Sequence, residues 1–105
     1  MAMDDSDLFV QGRGRASAQA DTITILYFAR LKEAFGRASE RVALPQSVDT
    51  VGALREHLRA RGGAWDTELA VAKPVRVALN QEMAPAGARL SPGDEVAFFP
   101  PVTGG

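Results

Sequence analysis

A chain of 105 residues with a formal net charge of −1 has room for one domain and no basic excess to attract nucleic acid. No apolar run approaches the length of a membrane span, so neither a nucleic-acid nor a membrane partner is expected. The absence of cysteine excludes disulfides, thiolate metal sites and a cysteine nucleophile; it suits a reducing compartment, and a cytoplasmic location is the expectation.

Residues 1–21 differ in composition from the remainder of the chain. Asp4, Asp5 and Asp7 surround a short apolar patch, Leu8-Phe9-Val10, and a stretch rich in Gly, Arg, Ser, Ala and Gln comes next. A secretory signal needs a basic start and a longer apolar core, so this segment reads as a disordered extension. Docking of Leu8-Phe9-Val10 as a short linear segment is the second reading, and nothing in the sequence by itself supports it.

Residues 22–28, Thr-Ile-Thr-Ile-Leu-Tyr-Phe, are β-branched and aromatic and read as a strand. The alternation is clean at first and turns apolar on both faces at Leu26 to Phe28, as happens where one face is kept for a partner. A polar connection with one helical turn, closed by Gly36, is expected over 29–36, then a second strand over 39–44 ended by Pro45. The clearest helix comes after it: Ser47, Asp49 and Thr50 are candidate N-caps, Val51, Leu54 and Leu58 form an apolar stripe, and Gly62-Gly63 supply the stop. Arg55, Arg59 and Arg61 read as a solvated face. Trp65 and Leu69 are expected to pack a loop or short turn onto the core. A third strand over 75–79, a turn at Asn80-Gln81-Glu82 and a short segment at Met83-Ala84 lead to a last strand over 96–99, introduced by the turn Ser91-Pro92-Gly93-Asp94.

The order β-β-α-β-β predicts an α+β roll, a mixed sheet of four to five strands on one main helix. Its first and last strands lie side by side, which sends Phe98 inward and leaves Phe28 and Phe99 outward. The domain spans 22–99, and 100–105 form an extended tail. Pro100 ends regular pairing, Pro100-Pro101 favours polyproline II geometry, and the six residues Pro100-Pro101-Val102-Thr103-Gly104-Gly105 reach roughly 20 Å when extended. Neither terminal glycine has a Cβ, so the carboxylate of Gly105 is unhindered and can thread a narrow channel. The plain alternative is a frayed terminus.

These segments resemble a known family. Ile25-Leu26-Tyr27-Phe28-Ala29-Arg30 with Leu31-Lys32-Glu33, then 50–58, Val77-Ala78-Leu79-Asn80-Gln81, and above all 93–105 with its Phe-Phe-Pro-Pro-Val-Thr-Gly-Gly ending, are similar to the small subunits of molybdopterin synthase. Those are ubiquitin-like β-grasp sulfur carriers. The resemblance covers about four-fifths of the chain and leaves the N-terminal extension without a counterpart. It implies that Gly105 is adenylated by an E1-like activating enzyme using ATP and is then thiocarboxylated by a sulfur donor protein. The tail then enters a large subunit, within a heterotetramer, where sulfur passes to cyclic pyranopterin monophosphate to build the molybdopterin dithiolene. Gly104 becomes the flexible link; Phe28, Phe99, Pro100, Pro101, Val102 and Thr103 become partner-facing. Lys32 takes a position where a basic side chain is expected at the interface, with Arg30 a looser candidate. No stably bound cofactor and no metal are implied, and catalytic groups come from the partners.

Other readings compete. Sulfur delivery to thiamine, cysteine or tRNA thiolation lies within the same carrier class. A ubiquitin-like modifier forming isopeptide bonds through Gly105 is a different class, and a β-grasp binding module with an idle tail is a third. His57, the single histidine, reads as a surface residue, and the adjacent Asp94 and Glu95 point to opposite faces of a strand and make a poor acid–base pair.

Overall fold

The computed structural model describes residues 21–101. Strand β1 (Thr22–Tyr27) buries Ile23, Ile25 and Tyr27 and turns Thr22, Thr24 and Leu26 the other way, as its alternation requires. Helix α1 (Arg30–Phe35) begins at once and is closed by Gly36, whose left-handed φ of 71° places its N–H on the Lys32 carbonyl. Leu31 and Phe35 are buried. The connection expected to be polar therefore contributes to the core, through two apolar side chains one turn apart that the intervening charges obscure in the sequence. Strand β2 (Ser39–Ala43) then runs antiparallel to β1, from Leu26 opposite Ser39 to Thr22 opposite Ala43.

Helix α2 (Val51–Arg59) starts where Thr50 Oγ1 accepts the Ala53 N–H at 3.1 Å, which settles the choice among three candidate caps. Val51, Leu54 and Leu58 form its buried stripe. Trp65 and Leu69, expected on a loop or turn, lie instead on a short helix, α3 (Ala64–Leu69). Leu69 is fully buried and Trp65 stacks on Phe35 with ring centroids 3.9 Å apart. Strand β3 (Arg76–Leu79) turns into β4 (Glu82–Met83) through Asn80 and Gln81, both at positive φ, as a two-residue hairpin of the twist-matched type demands. Asn80 also accepts the Glu95 N–H and donates to Asp94, tying this hairpin to the start of strand β5 (Glu95–Phe99). Pro92 and Gly93, with φ of 90° at the glycine, bring Asp94 N–H to the Ser91 carbonyl in the turn before β5.

The sheet order is β2-β1-β5-β3-β4, with β5 parallel to β1 and antiparallel to β3. Side chains from all three helices meet Ile23, Ile25, Tyr27, Val77, Val96 and Phe98 in one core. The helices thus cover one face of the sheet and, among the described residues, leave the other open. This is an α+β β-grasp with five strands. No helix among the described residues is long and apolar enough to cross a membrane.

The arginines of α2 and its exit depart from the solvated face expected of them. Arg55 donates to the carbonyls of Leu69 (2.7 Å), Ala70 (2.7 Å) and Lys73 (3.0 Å), holding the chain after α3 against α2. Arg61 forms a two-pronged bond to Glu40 (2.8 and 3.1 Å) and lies over the Trp65 ring, 4.4 Å from its centroid. Arg59 bridges Glu56 and Asp66 at the surface. The Arg59–Glu56 pair is the i,i+3 contact that helical spacing allows. The contacts of Arg55 and Arg61 depend instead on which loop or strand comes to lie opposite, and helical spacing carries no record of that.

Candidate functional site

The paired ends of β1 and β5 place the residues from which the tail departs. Tyr27 lies opposite Phe98 in the parallel register, and Phe28 continues the ladder by donating its N–H to the Phe98 carbonyl at 3.1 Å. Tyr27 and Phe98 are buried, so the next residue on each strand turns outward. Phe28 is 48% exposed, and its ring meets that of Phe99 edge to face with centroids 6.5 Å apart. Pro100 and Pro101 are half-buried just beyond. Val102, Thr103, Gly104 and Gly105 lie outside the described residues.

The backbone beside Phe28 is unusual. Ala29 has φ 55° and ψ −129°, a conformation that glycine adopts freely and a Cβ makes costly. This sharp turn lets β1 pass directly into α1 and fixes the direction of the Phe28 side chain.

Register extends this apolar face beyond the two aromatics, through Ala97, which its neighbours bury, and the half-buried Leu26 and Ala78. Leu26 lies opposite Ala97, Ala97 opposite Ala78, and Ala78 opposite Met83. These four form an apolar row across the open face of the sheet, ending in Met83, which is 56% exposed. Arg76 lies opposite Phe99 at the margin of this row. Leu26 was legible as the residue that breaks the alternation of its strand. Met83 was not, because its place on the face depends on cross-strand register.

The basic candidates lie on α1. Lys32 is exposed. Arg30 is paired within the chain, its Nη2 3.2 Å from Glu68 Oε1 of α3. That carboxylate oxygen is buried and makes no aligned hydrogen bond, so the contact is ionic. His57 is exposed on α2. Among the described residues, no cluster of three or more histidine or acidic side chains could hold a metal ion.

Behind the aromatic root stands a polar brace. Tyr27 donates its hydroxyl to Glu40 at 2.6 Å, and Arg61 and Arg37 approach the same carboxylate. Burial and the adjacent Glu40 charge hold the Tyr27 pKa well above its usual value. Burial also pushes Glu40 upward, but the bonds from Arg61 and Tyr27 outweigh it and keep Glu40 below its ordinary range.

Comparison with known proteins agrees with this architecture. The ThiS family matches residues 25–105. The molybdopterin synthase sulfur carrier subunit of Haemophilus influenzae is 40% identical over 83 residues, covering 79% of this chain and 99% of its own length. The Escherichia coli protein of the same name is 42% identical over the same coverage. Among solved structures, the small archaeal modifier protein 1 of Haloferax volcanii superposes with a TM-score of 0.64 at 30% identity, covering 77% of this chain and 98% of its own. The chain belongs to the ThiS family, and within it is similar to the sulfur carrier subunits of molybdopterin synthase.

Proposed function

We propose that this chain is the sulfur carrier subunit of a molybdopterin synthase. The observation that carries the reading is its identity of 40–42% to relatives of that name along nearly their whole length. Chemistry assigns the reacting group. An α-carboxylate with a pKa of about 3.3–3.7 is ionised and unreactive as an acyl donor at neutral pH. On an E1-like partner, one oxygen of Gly105 attacks the α-phosphorus of ATP and pyrophosphate leaves. Sulfide-level sulfur supplied by a donor protein then attacks the acyl carbon and AMP leaves, giving a thiocarboxylate. In the large subunit that sulfur bonds to a carbon of cyclic pyranopterin monophosphate toward the dithiolene, and water attacks the Gly105 carbonyl, breaks its bond to sulfur and returns the carboxylate.

The chain itself contributes delivery. Phe28 and Phe99, with the apolar row to Met83, have the composition of an interface core, depleted of charge and rich in aromatics and methionine. A partner seated there receives the tail at its root. Pro100, Pro101, Val102 and Thr103 lead into its active site, and Gly104 lets the tip turn. Lys32 meets acidic groups at the rim, and Arg30 can join it by leaving Glu68.

A second reading has support in the Haloferax neighbour, which is named a modifier. There Gly105 would form isopeptide bonds with lysines. One experiment separates the two: co-expression with an activating enzyme and sulfur source, then the mass of the C-terminal tryptic peptide. Cleavage after Arg89 releases residues 90–105, which contain no methionine, so oxidation cannot imitate an oxygen-to-sulfur exchange. A gain of sulfur for oxygen on this peptide is expected. An unmodified peptide, from an activating enzyme competent on another carrier, overturns the proposal. Lysines of other proteins carrying residues 90–105 as a branch favour the modifier.

A further inference from the structure

A cavity of about 390 Å³ opens between the start of α2 and the outer edge of β3, walled by Val51, Arg55, Val75, Arg76, Met83 and Pro85 among others. Strand β4 pairs only with Ala78 and Leu79, so the edge of β3 at Arg76 has no strand beside it among the described residues. The helix start offers no free donors: the N–H groups of Val51, Gly52, Ala53 and Leu54 go to Ala88, Ala86 and Thr50. Positive charge in the wall therefore comes from two guanidiniums. Arg55 spends its hydrogen bonds on carbonyls, Arg76 is exposed, and no carboxylate lines the cavity. The site asks for an apolar segment with acidic neighbours.

The sequence contains such a segment ahead of the family match, which begins at residue 25. Leu8-Phe9-Val10 is preceded by Asp4, Asp5 and Asp7. The span is feasible. From the start of β1 to the level of Arg76 is roughly 20 Å along the strands and about 10 Å across two strand spacings. The ten residues 11–20 extend up to about 35 Å.

We propose that Leu8-Phe9-Val10 seats in this cavity within the same chain, with Asp4, Asp5 and Asp7 beside Arg55 and Arg76. The seat does not depend on the carrier reading. If that reading holds, Met83 belongs both to the cavity wall and to the docking face, so the segment and a partner compete and the extension restrains docking.

The natural chain has no cysteine, so Ser6→Cys in the full-length protein gives a single site for a nitroxide label. Amide NMR spectra with the label oxidised and reduced then report its neighbours. The expected result is a loss of intensity concentrated at Val75, Arg76, Ala84 and Ala86, independent of protein concentration and abolished by Phe9→Ser or Arg76→Glu. Loss spread evenly over the surface, or centred elsewhere, overturns the proposal. So does loss that grows with concentration, which would make the occupant a second copy. Arg76 is exposed and lies outside the buried core, so its variant keeps the folded reference.

Discussion

At the scale of single residues, Ala29 is the position where local preference and observed backbone disagree most. A non-glycine residue at φ 55° and ψ −129° costs about 1–3 kcal/mol, and such strain persists where the surroundings impose it. Here Phe28 is held by its bond to Phe98, and Leu31 is anchored in the core two residues later. Ala29→Gly is expected to stabilise the domain by about 1 kcal/mol, after allowing for the greater backbone entropy of glycine. In thermal unfolding this appears as a rise of roughly 5 °C. The same change loosens the turn that aims the Phe28 ring, so binding to a large subunit is expected to weaken while stability rises. A variant that is less stable than the parent would show that the turn carries no strain.

At the scale of elements, legibility in the sequence depends on length and period. β1, α2 and β5 were readable because alternation, an N-cap and an apolar stripe repeat over several residues. Helices α1 and α3 have six residues each, too few for a period to emerge from among their charges. The brace between β2 and the end of α2 was invisible for another reason: Glu40 and Arg61 are 21 residues apart and meet only once the sheet and helix have packed. Its energetics are open to a pH test. Because the folded-state pKa of Glu40 lies below its ordinary 4.5, this carboxylate contributes stability that is complete above that value. The contribution is lost as pH falls through the lower folded-state value. Tyr27 behaves oppositely, since its raised pKa contributes stability present below 10 and lost as pH rises through the folded-state value. Glu40→Gln is expected to cost about 1 kcal/mol at neutral pH, and its denaturation curves should converge with those of the parent at acid pH. A difference that persists unchanged in acid would mean the carboxylate charge is not what holds β2 to α2.

For the whole molecule, the fold separates residues that maintain structure from residues that meet a partner. The inner face of the sheet is filled by the helices, whereas the outer face collects Leu26, Phe28, Ala78, Met83, Ala97 and Phe99 on four adjacent strands. The pair Phe28 and Phe99 was legible in the sequence because strand parity alone places both opposite the buried Tyr27 and Phe98. The row that continues to Met83 required the register of three pairings. This separation makes a sharp prediction. Phe28 is half exposed and touches Phe99 without entering the core, so Phe28→Asp should alter folding stability by no more than about 0.5 kcal/mol. On the carrier reading it buries an unpaired charge in the centre of the docking face, and affinity for the large subunit should fall by about 2 kcal/mol, roughly 30-fold. Leu54→Ala, at a fully buried position on α2, should do the reverse: a loss of about 2–5 kcal/mol in stability with the affinity of the remaining folded fraction unchanged. Calorimetric titration and chemical denaturation of the two variants give both quantities. Equal affinities for the parent and Phe28→Asp would remove the open face of the sheet from the interface and leave the tail as the sole point of recognition.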